Sequence, residues 1–286
     1  MFRDYHPMVN VVYFAYVIGL TALSNDPRFI LLSLAASWVY SAVLRGKGMI
    51  LSNLMIVIPV MLIMGVINTL FSHNGATVLF FINDMRITLE SLIYGICSSL
   101  LISSVIIWFI CFSEIMTSDK LIYIFGKARP VLGLTLSMIF RFIPLLKERF
   151  NEIRLGQRCM KREEDERFFG KIRQFIKEVS ILISWSLESA IETSDSMESR
   201  GYGLKGRTSF HLFKMSPRDK EAIALIFLIG SIGLAACVTG KTDIYYYPVI
   251  EFGSFGIFRW AAFICHALLF AVPVSIDLRG KKRWRL

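Results

Sequence analysis

Six apolar stretches dominate this chain, at 8–24, 29–44, 50–71, 91–113, 221–239 and 257–276. Each approaches the length, about 20 residues, at which a helix crosses the hydrocarbon core of a bilayer. Lipid offers no water to an unpaired backbone group, so a continuous apolar run of this length must close its hydrogen bonds within itself, as a helix. The expected fold class is an all-α polytopic membrane protein with about six transmembrane helices. Composition agrees. Of 286 residues, 55% are hydrophobic and 19% charged, with mean hydropathy +0.56. Disorder is excluded, because it requires low hydrophobicity. A secreted disulfide scaffold is excluded as well. Cys97, Cys111, Cys159, Cys237 and Cys265 are scattered and form no CxxC pair.

The net charge is +10. In a soluble chain this would suggest nucleic acid. Here Lys and Arg gather in a few connections, the pattern that orients membrane helices with basic segments inside. Arg45 and Lys47 follow the second stretch, Lys120, Lys127 and Arg129 the fourth, and Arg279, Lys281, Lys282, Arg283 and Arg285 the sixth. By contrast, the connection 72–90 holds Arg86 against Asp84 and Glu90, and 240–256 holds Lys241 against Asp243 and Glu251. All basic segments then fall on one side, which places both termini in the cytoplasm and calls for no nucleic-acid partner.

Ser24-Asn25-Asp26-Pro27 separates the first two stretches as a turn, so they form a helical hairpin. The run ending Ala22-Leu23-Ser24 mimics a signal peptide with its cleavage site. Asp4 in the leading segment and the immediate second apolar run argue for a retained helix instead.

The chain divides into N-terminal membrane helices at 1–113, a polar region at 114–220, and C-terminal membrane helices with a basic tail at 221–286. The middle region is too long for an ordinary loop. Two long amphipathic helices are expected in it. One starts at Pro130, a favoured first-turn residue, and runs to about Lys161, with Arg141 and Pro144 inside a membrane-like first half. The other runs from about Lys171 to Arg200. Its apolar positions include Ile172, Phe175, Ile176, Val179, Ile183, Leu187 and Ile191, a helical stripe. Gly201 follows as a stop. Such helices either pack on the membrane body or form a platform for another protein.

Several motifs imitate chemistry. Gly201-Tyr202-Gly203-Leu204-Lys205-Gly206 spells GxGxxG, but the dinucleotide fingerprint needs a strand before it, and here a helix precedes. Gly240-Lys241-Thr242 resembles the end of a phosphate loop, yet Ala235 stands where the first glycine belongs. No machinery for ATP hydrolysis is visible, and no cofactor site. His6, His73, His211 and His266 make no metal spacing. Glu188, Glu192 and Asp195 share a helical face, which reads as solvated rather than catalytic. Arg141 is expected to face the protein interior or to snorkel to the interface. Arg200 has two readings: a cation complementing the helix dipole, or a side chain projected into a partner's pocket.

The runs Arg141-Phe142-Ile143-Pro144, Glu152-Ile153-Arg154-Leu155-Gly156-Gln157-Arg158 and Met197-Glu198-Ser199-Arg200-Gly201-Tyr202-Gly203, with His6-Pro7 and Asn25-Asp26-Pro27 ahead of the first two stretches, resemble the transmembrane T component of energy-coupling factor transporters, including its cobalt and nickel branch. The resemblance covers nearly the whole chain. It implies that the two amphipathic helices are coupling helices in the cytoplasm. In that family each ends in an Ala-Arg-Gly signature whose arginine docks on an ATPase. The second signature matches as Ser199, Arg200 and Gly201. The first departs. It falls on Cys159, Met160 and Lys161, with Arg158, Lys161 or Arg162 able to substitute by a small change of register.

The implied function is a non-catalytic scaffold of an importer for a vitamin or metal ion in the cell membrane. Its implied partners are two cytoplasmic ABC ATPase subunits, a small substrate-binding membrane S component and the lipid bilayer. The alternative is a solitary channel or intramembrane enzyme. That would need convergent polar groups in the spans, where Asn53, Asn68, Glu90, Arg141 and His266 are the candidates.

Overall fold

The structure, a computed structural model, describes residues 2–46, 48–71, 75–82, 85–160, 168–204, 213–239, 244, 246 and 256–283. The chain forms two compact units, one from Met1–Thr117 with Phe213–Leu286, the other Ser118–Leu212.

The first unit contains α1 (Pro7–Leu23), α2 (Pro27–Arg45), α3 (Gly48–Phe71), a hairpin of β1 (Val78–Ile82) and β2 (Met85–Thr88), and α4 (Leu89–Ile115). The second contains α5 (Ser118–Ala128), α6 (Pro130–Cys159) and α7 (Phe168–Ser199). The first unit resumes with α8 (Pro217–Val238) and α9 (Ile257–Arg283).

Three helices of the first unit start by the same device. A side-chain acceptor caps the helix, and a proline fills the first position, where no N–H bond is needed. His6 Nδ1 accepts from Met8 N at 3.3 Å ahead of Pro7, and Asp26 Oδ1 accepts from Arg28 N at 3.0 Å ahead of Pro27. Ser216 and Asp219 form a reciprocal capping box around Pro217.

The interior of this unit is built on α1, which packs against α4 and α8 and also touches α2 and α9. Val9, Tyr13 and Val17 are fully enclosed, with Phe14 and Leu20 almost so. They surround Trp108 of α4, whose indole also meets Tyr40 of α2 and Phe270 of α9. Lipid tails are as apolar as these side chains, so association rests on packing and on interhelical hydrogen bonds.

One such network is fully assignable. Thr21 Oγ1 donates to the Val17 carbonyl at 2.8 Å, so it accepts from Ser33 Oγ across their 2.8 Å contact. Ser33 in turn accepts from Ser104 Oγ at 2.9 Å and Trp108 Nε1 at 3.0 Å. Its one donor and two acceptor sites are all used, and three helices are tied through a single hydroxyl.

Among the described residues, six helices are long and apolar enough to cross a membrane: Pro27–Arg45, Gly48–Asn68, Leu89–Ile115, Pro130–Cys159, Pro217–Val238 and Ile257–Leu278. The number matches the sequence expectation, but the set differs. The stretch at 8–24 yields α1, which has only 17 residues and belongs to the shorter apolar helices. The sixth long helix is instead α6, expected from its charges to be amphipathic, whose apolar first half supplies the window. The sequence reading also omitted α5 and the hairpin. The hairpin lies in the connection 72–90, and α5 in the polar region 114–220 ahead of the two expected amphipathic helices.

Candidate functional site

The second unit carries the residues on which docking was expected. The end of α7 is built by a specific backbone motif. Gly201 N–H donates to the Glu198 carbonyl at 2.9 Å, and Tyr202 N–H reaches back to the Met197 carbonyl at 3.0 Å. These are the two bonds of a Schellman cap, which requires a left-handed residue just past the helix. Gly201 supplies it with φ +77°, a region costing any other L-residue about 1 kcal/mol or more. Gly203 is also left-handed, at φ +91°. Two glycines of the GxGxxG imitation thus serve a helix exit, with α7 in front where a strand would be needed. Lys205 and Gly206 lie outside the described residues.

The cap decides how Arg200 is presented. It is the capping residue itself, exposed, and its guanidinium has no hydrogen-bond or ion-pair partner among the described residues. Ser199 Oγ is turned back onto the Ser196 carbonyl at 2.9 Å. Beyond the turn, Tyr202 and Leu204 are exposed.

At the end of α6, Met160 is the capping residue, with φ −93° and ψ 0°, and is 77% exposed. Arg158 and Cys159 are exposed in the turn before it. Lys161 and Arg162 lie outside the described residues. At the capping position α6 therefore exposes a methionine where α7 exposes an arginine.

Between the two ends the helices meet. Arg149 lies over the Trp185 ring at 5.3 Å, and Phe150 meets Phe175 edge-on at 6.1 Å. Arg154 Nε stands 3.5 Å from Glu178 Oε2. On the open side of α7, Phe175, Ile176, Val179, Ser180, Ile183 and Ser184 line an apolar groove of about 310 Å³. α5 is held to α6 through glycine. A Cβ on Gly133 would stand 2.5 Å from Gly126 Cα, so only glycine lets these backbones approach.

Arg141 is exposed on α6, and Glu188, Glu192 and Asp195 are exposed on α7, as a solvated face requires. In the membrane body, Asn53 Nδ2 donates to Ser41 Oγ at 3.2 Å, Asn68 Nδ2 to the Met64 carbonyl at 3.2 Å, and Glu90 accepts from Thr77 Oγ1 at 2.7 Å. His266 Nδ1 donates to the Ala262 carbonyl at 2.8 Å, while Nε2 faces Cys237 Sγ at 3.9 Å. Sequence spacing gave no hint of this Cys–His contact, since the two residues are 29 apart on different helices. Both are buried, and Phe29 packs edge-on against the imidazole at 4.9 Å.

Residues 4–211 match the CbiQ family of cobalt transport proteins. The chain belongs to this family. A 115-residue stretch is also 31% identical to a protein from Streptococcus thermophilus (strain ATCC BAA-250 / LMG 18311) named energy-coupling factor transporter transmembrane protein EcfT. That stretch is 40% of this chain and 44% of the relative, so the alignment spans less than half of either. As a CbiQ-family member with six membrane-competent helices, the chain is a multi-pass membrane component of a transporter. The family match takes in α6, α7 and the Arg200 turn.

Proposed function

We propose that this chain is the energy-coupling scaffold of an importer for a vitamin or metal ion. In this reading the end of α6 and the whole of α7 face the cytoplasm, both termini lie on the same side, and two ABC ATPase subunits dock on the ends of α6 and α7. A small S component in the membrane carries the solute. The chain itself hydrolyses nothing.

One observation carries the reading: Arg200 is projected from a rigid, glycine-capped helix end with no intramolecular partner among the described residues. Burying an unpaired guanidinium against another protein is favourable only where carboxylates or carbonyls accept its fork of donors. Such anchors contribute about 2 kcal/mol or more when they are hot spots. Ser199 and Gly201 shape the turn that presents it. At the α6 end, Arg158, Cys159, Met160 and Lys161 form the second contact. With Met160 in the arginine position, Arg158 or Lys161 supplies the cation by a small change of register, and the two contacts are unequal.

The test is co-purification in mild detergent from the native host, with partners identified by mass spectrometry. Wild-type chain is expected to bring ATPase subunits, and Arg200→Glu to lose them while keeping the membrane body folded. Retention by Arg200→Glu would reduce Arg200 to a helix cap. A wild-type chain that purifies alone would overturn the scaffold reading.

A further inference from the structure

Glu178 is anomalous in its surroundings. The unit Ser118–Leu212 leaves most of its apolar side chains in the open, with Ile176, Ile183, Leu187 and Ile191 all more than half exposed. Yet it encloses a carboxylate, at 3% exposure. Burying a carboxylate is costly unless it is paired and hydrogen-bonded. Glu178 Oε2 faces Arg154 Nε at 3.5 Å, and Oε1 accepts from Gln174 Nε2 at 3.1 Å. The guanidinium is itself held, lying 4.8 Å over the Phe150 ring. The two helices therefore meet around a directional contact.

Direction matters at a crossing. Apolar side chains attract without orientation, so a purely apolar crossing slides and rotates at little cost. The Arg154–Glu178 contact resists both, because displacement strands a buried carboxylate, while Gln174, four residues before Glu178 on α7, orients that carboxylate without reaching α6. The position of this contact also divides the helices unequally. From Glu178 to Arg200 is 22 residues of α7, about 33 Å of helix. From Arg154 to Met160 is 6 residues of α6, about 9 Å.

We propose that Arg154 and Glu178, the latter oriented by Gln174 from its own helix, form a positioning pin that fixes where α6 and α7 cross, making them levers of unequal length, with Arg200 on the long arm. A change in crossing angle displaces the Arg200 end several times farther than the Met160 end. This rests on the scaffold reading, in which the ends of α6 and α7 are the driven points.

The test pairs a distance measurement with a coupling measurement. Cys159 is exposed, while Cys97, Cys111 and Cys237 are buried. Spin labels on Cys159 and on an introduced Ser199→Cys, in a Cys265→Ser background, report the separation of the two arm ends. The unmodified pin is expected to give a narrow distance distribution. Arg154→Met or Glu178→Gln is expected to broaden it about twofold, and the exchanged pair Arg154→Glu with Glu178→Arg to narrow it again. In the full complex, the single variants keep their ATPases but transport roughly tenfold less solute per ATP hydrolysed. An unchanged distribution in both single variants overturns the pin. A broadened distribution with unchanged transport per ATP also overturns it, leaving the contact merely structural. Absence of ATPases from the unmodified complex defeats the scaffold reading instead, and the distance distribution then decides the crossing alone.

Discussion

Helices α1 and α7 both carry an apolar stripe at helical spacing, and the two stripes meet opposite fates. On α1, Val9, Tyr13 and Val17 are wholly enclosed. On α7, Ile176 is 62% exposed and Leu187 63%. The first stripe is covered by α4 and α8, with α2 and α9 at its margins. The second is met by α6 over a limited stretch and otherwise stands open as a groove. Periodicity marks a face that must be covered; it does not say by what. Soluble monomers rarely leave so much contiguous apolar area uncovered, which is why the open stripe is informative about function and the closed one about folding.

The enclosed stripe is most vulnerable at Trp108. Trp108→Ala removes the ring shared by Tyr13, Phe14, Tyr40 and Phe270, together with the donor to Ser33. It is expected to destabilise the membrane body by about 3–5 kcal/mol, read as a lowered midpoint in detergent thermal unfolding. A change below 1 kcal/mol by the same assay would mean that the body is not held by this core.

A smaller effect is expected at the close α5–α6 contact of the other unit. Gly133→Ala pushes a methyl group into Gly126 and should cost about 1–3 kcal/mol. The loss should appear as faster amide exchange confined to α5, with the α6–α7 crossing unaffected. Exchange rising equally along α7 would show that the unit opens as a whole.

The smallest effect sharpens the contrast. Ile183 lies in the open stripe at 52% exposure. Ile183→Ser is expected to change stability by less than about 0.5 kcal/mol while weakening co-purification of membrane partners. A stability loss comparable to that of Trp108→Ala would mean that the chain covers this stripe itself.

Much of the fold was legible because its causes are local. His6-Pro7, Asp26-Pro27 and Pro130 announce helix starts through one residue's acceptor or the next residue's fixed φ. Gly201 announces an end, since only glycine enters the left-handed turn there without strain. The docking candidate Arg200 was therefore legible too, as a cation immediately before that glycine. Other features were not. α6 emerged as membrane-competent through one 18-residue window, although its second half is charged. Arg154 and Glu178 each read as ordinary polar positions on amphipathic helices. Nothing within a turn or two of either names the other.

The amino-acid sequence by itself determined the class of molecule, the run of helices and the cationic end of α7. These follow from hydropathy, spacing and backbone preference, all of which act over a few residues. Only the tertiary structure decided which stripe is enclosed, that Ser33 ties three helices, and that α6 and α7 meet around a buried carboxylate. Those outcomes depend on pairings between distant segments. A hydrophobic face or a charged side chain is satisfied by any partner of suitable chemistry, and the choice among partners is made by packing the whole chain at once.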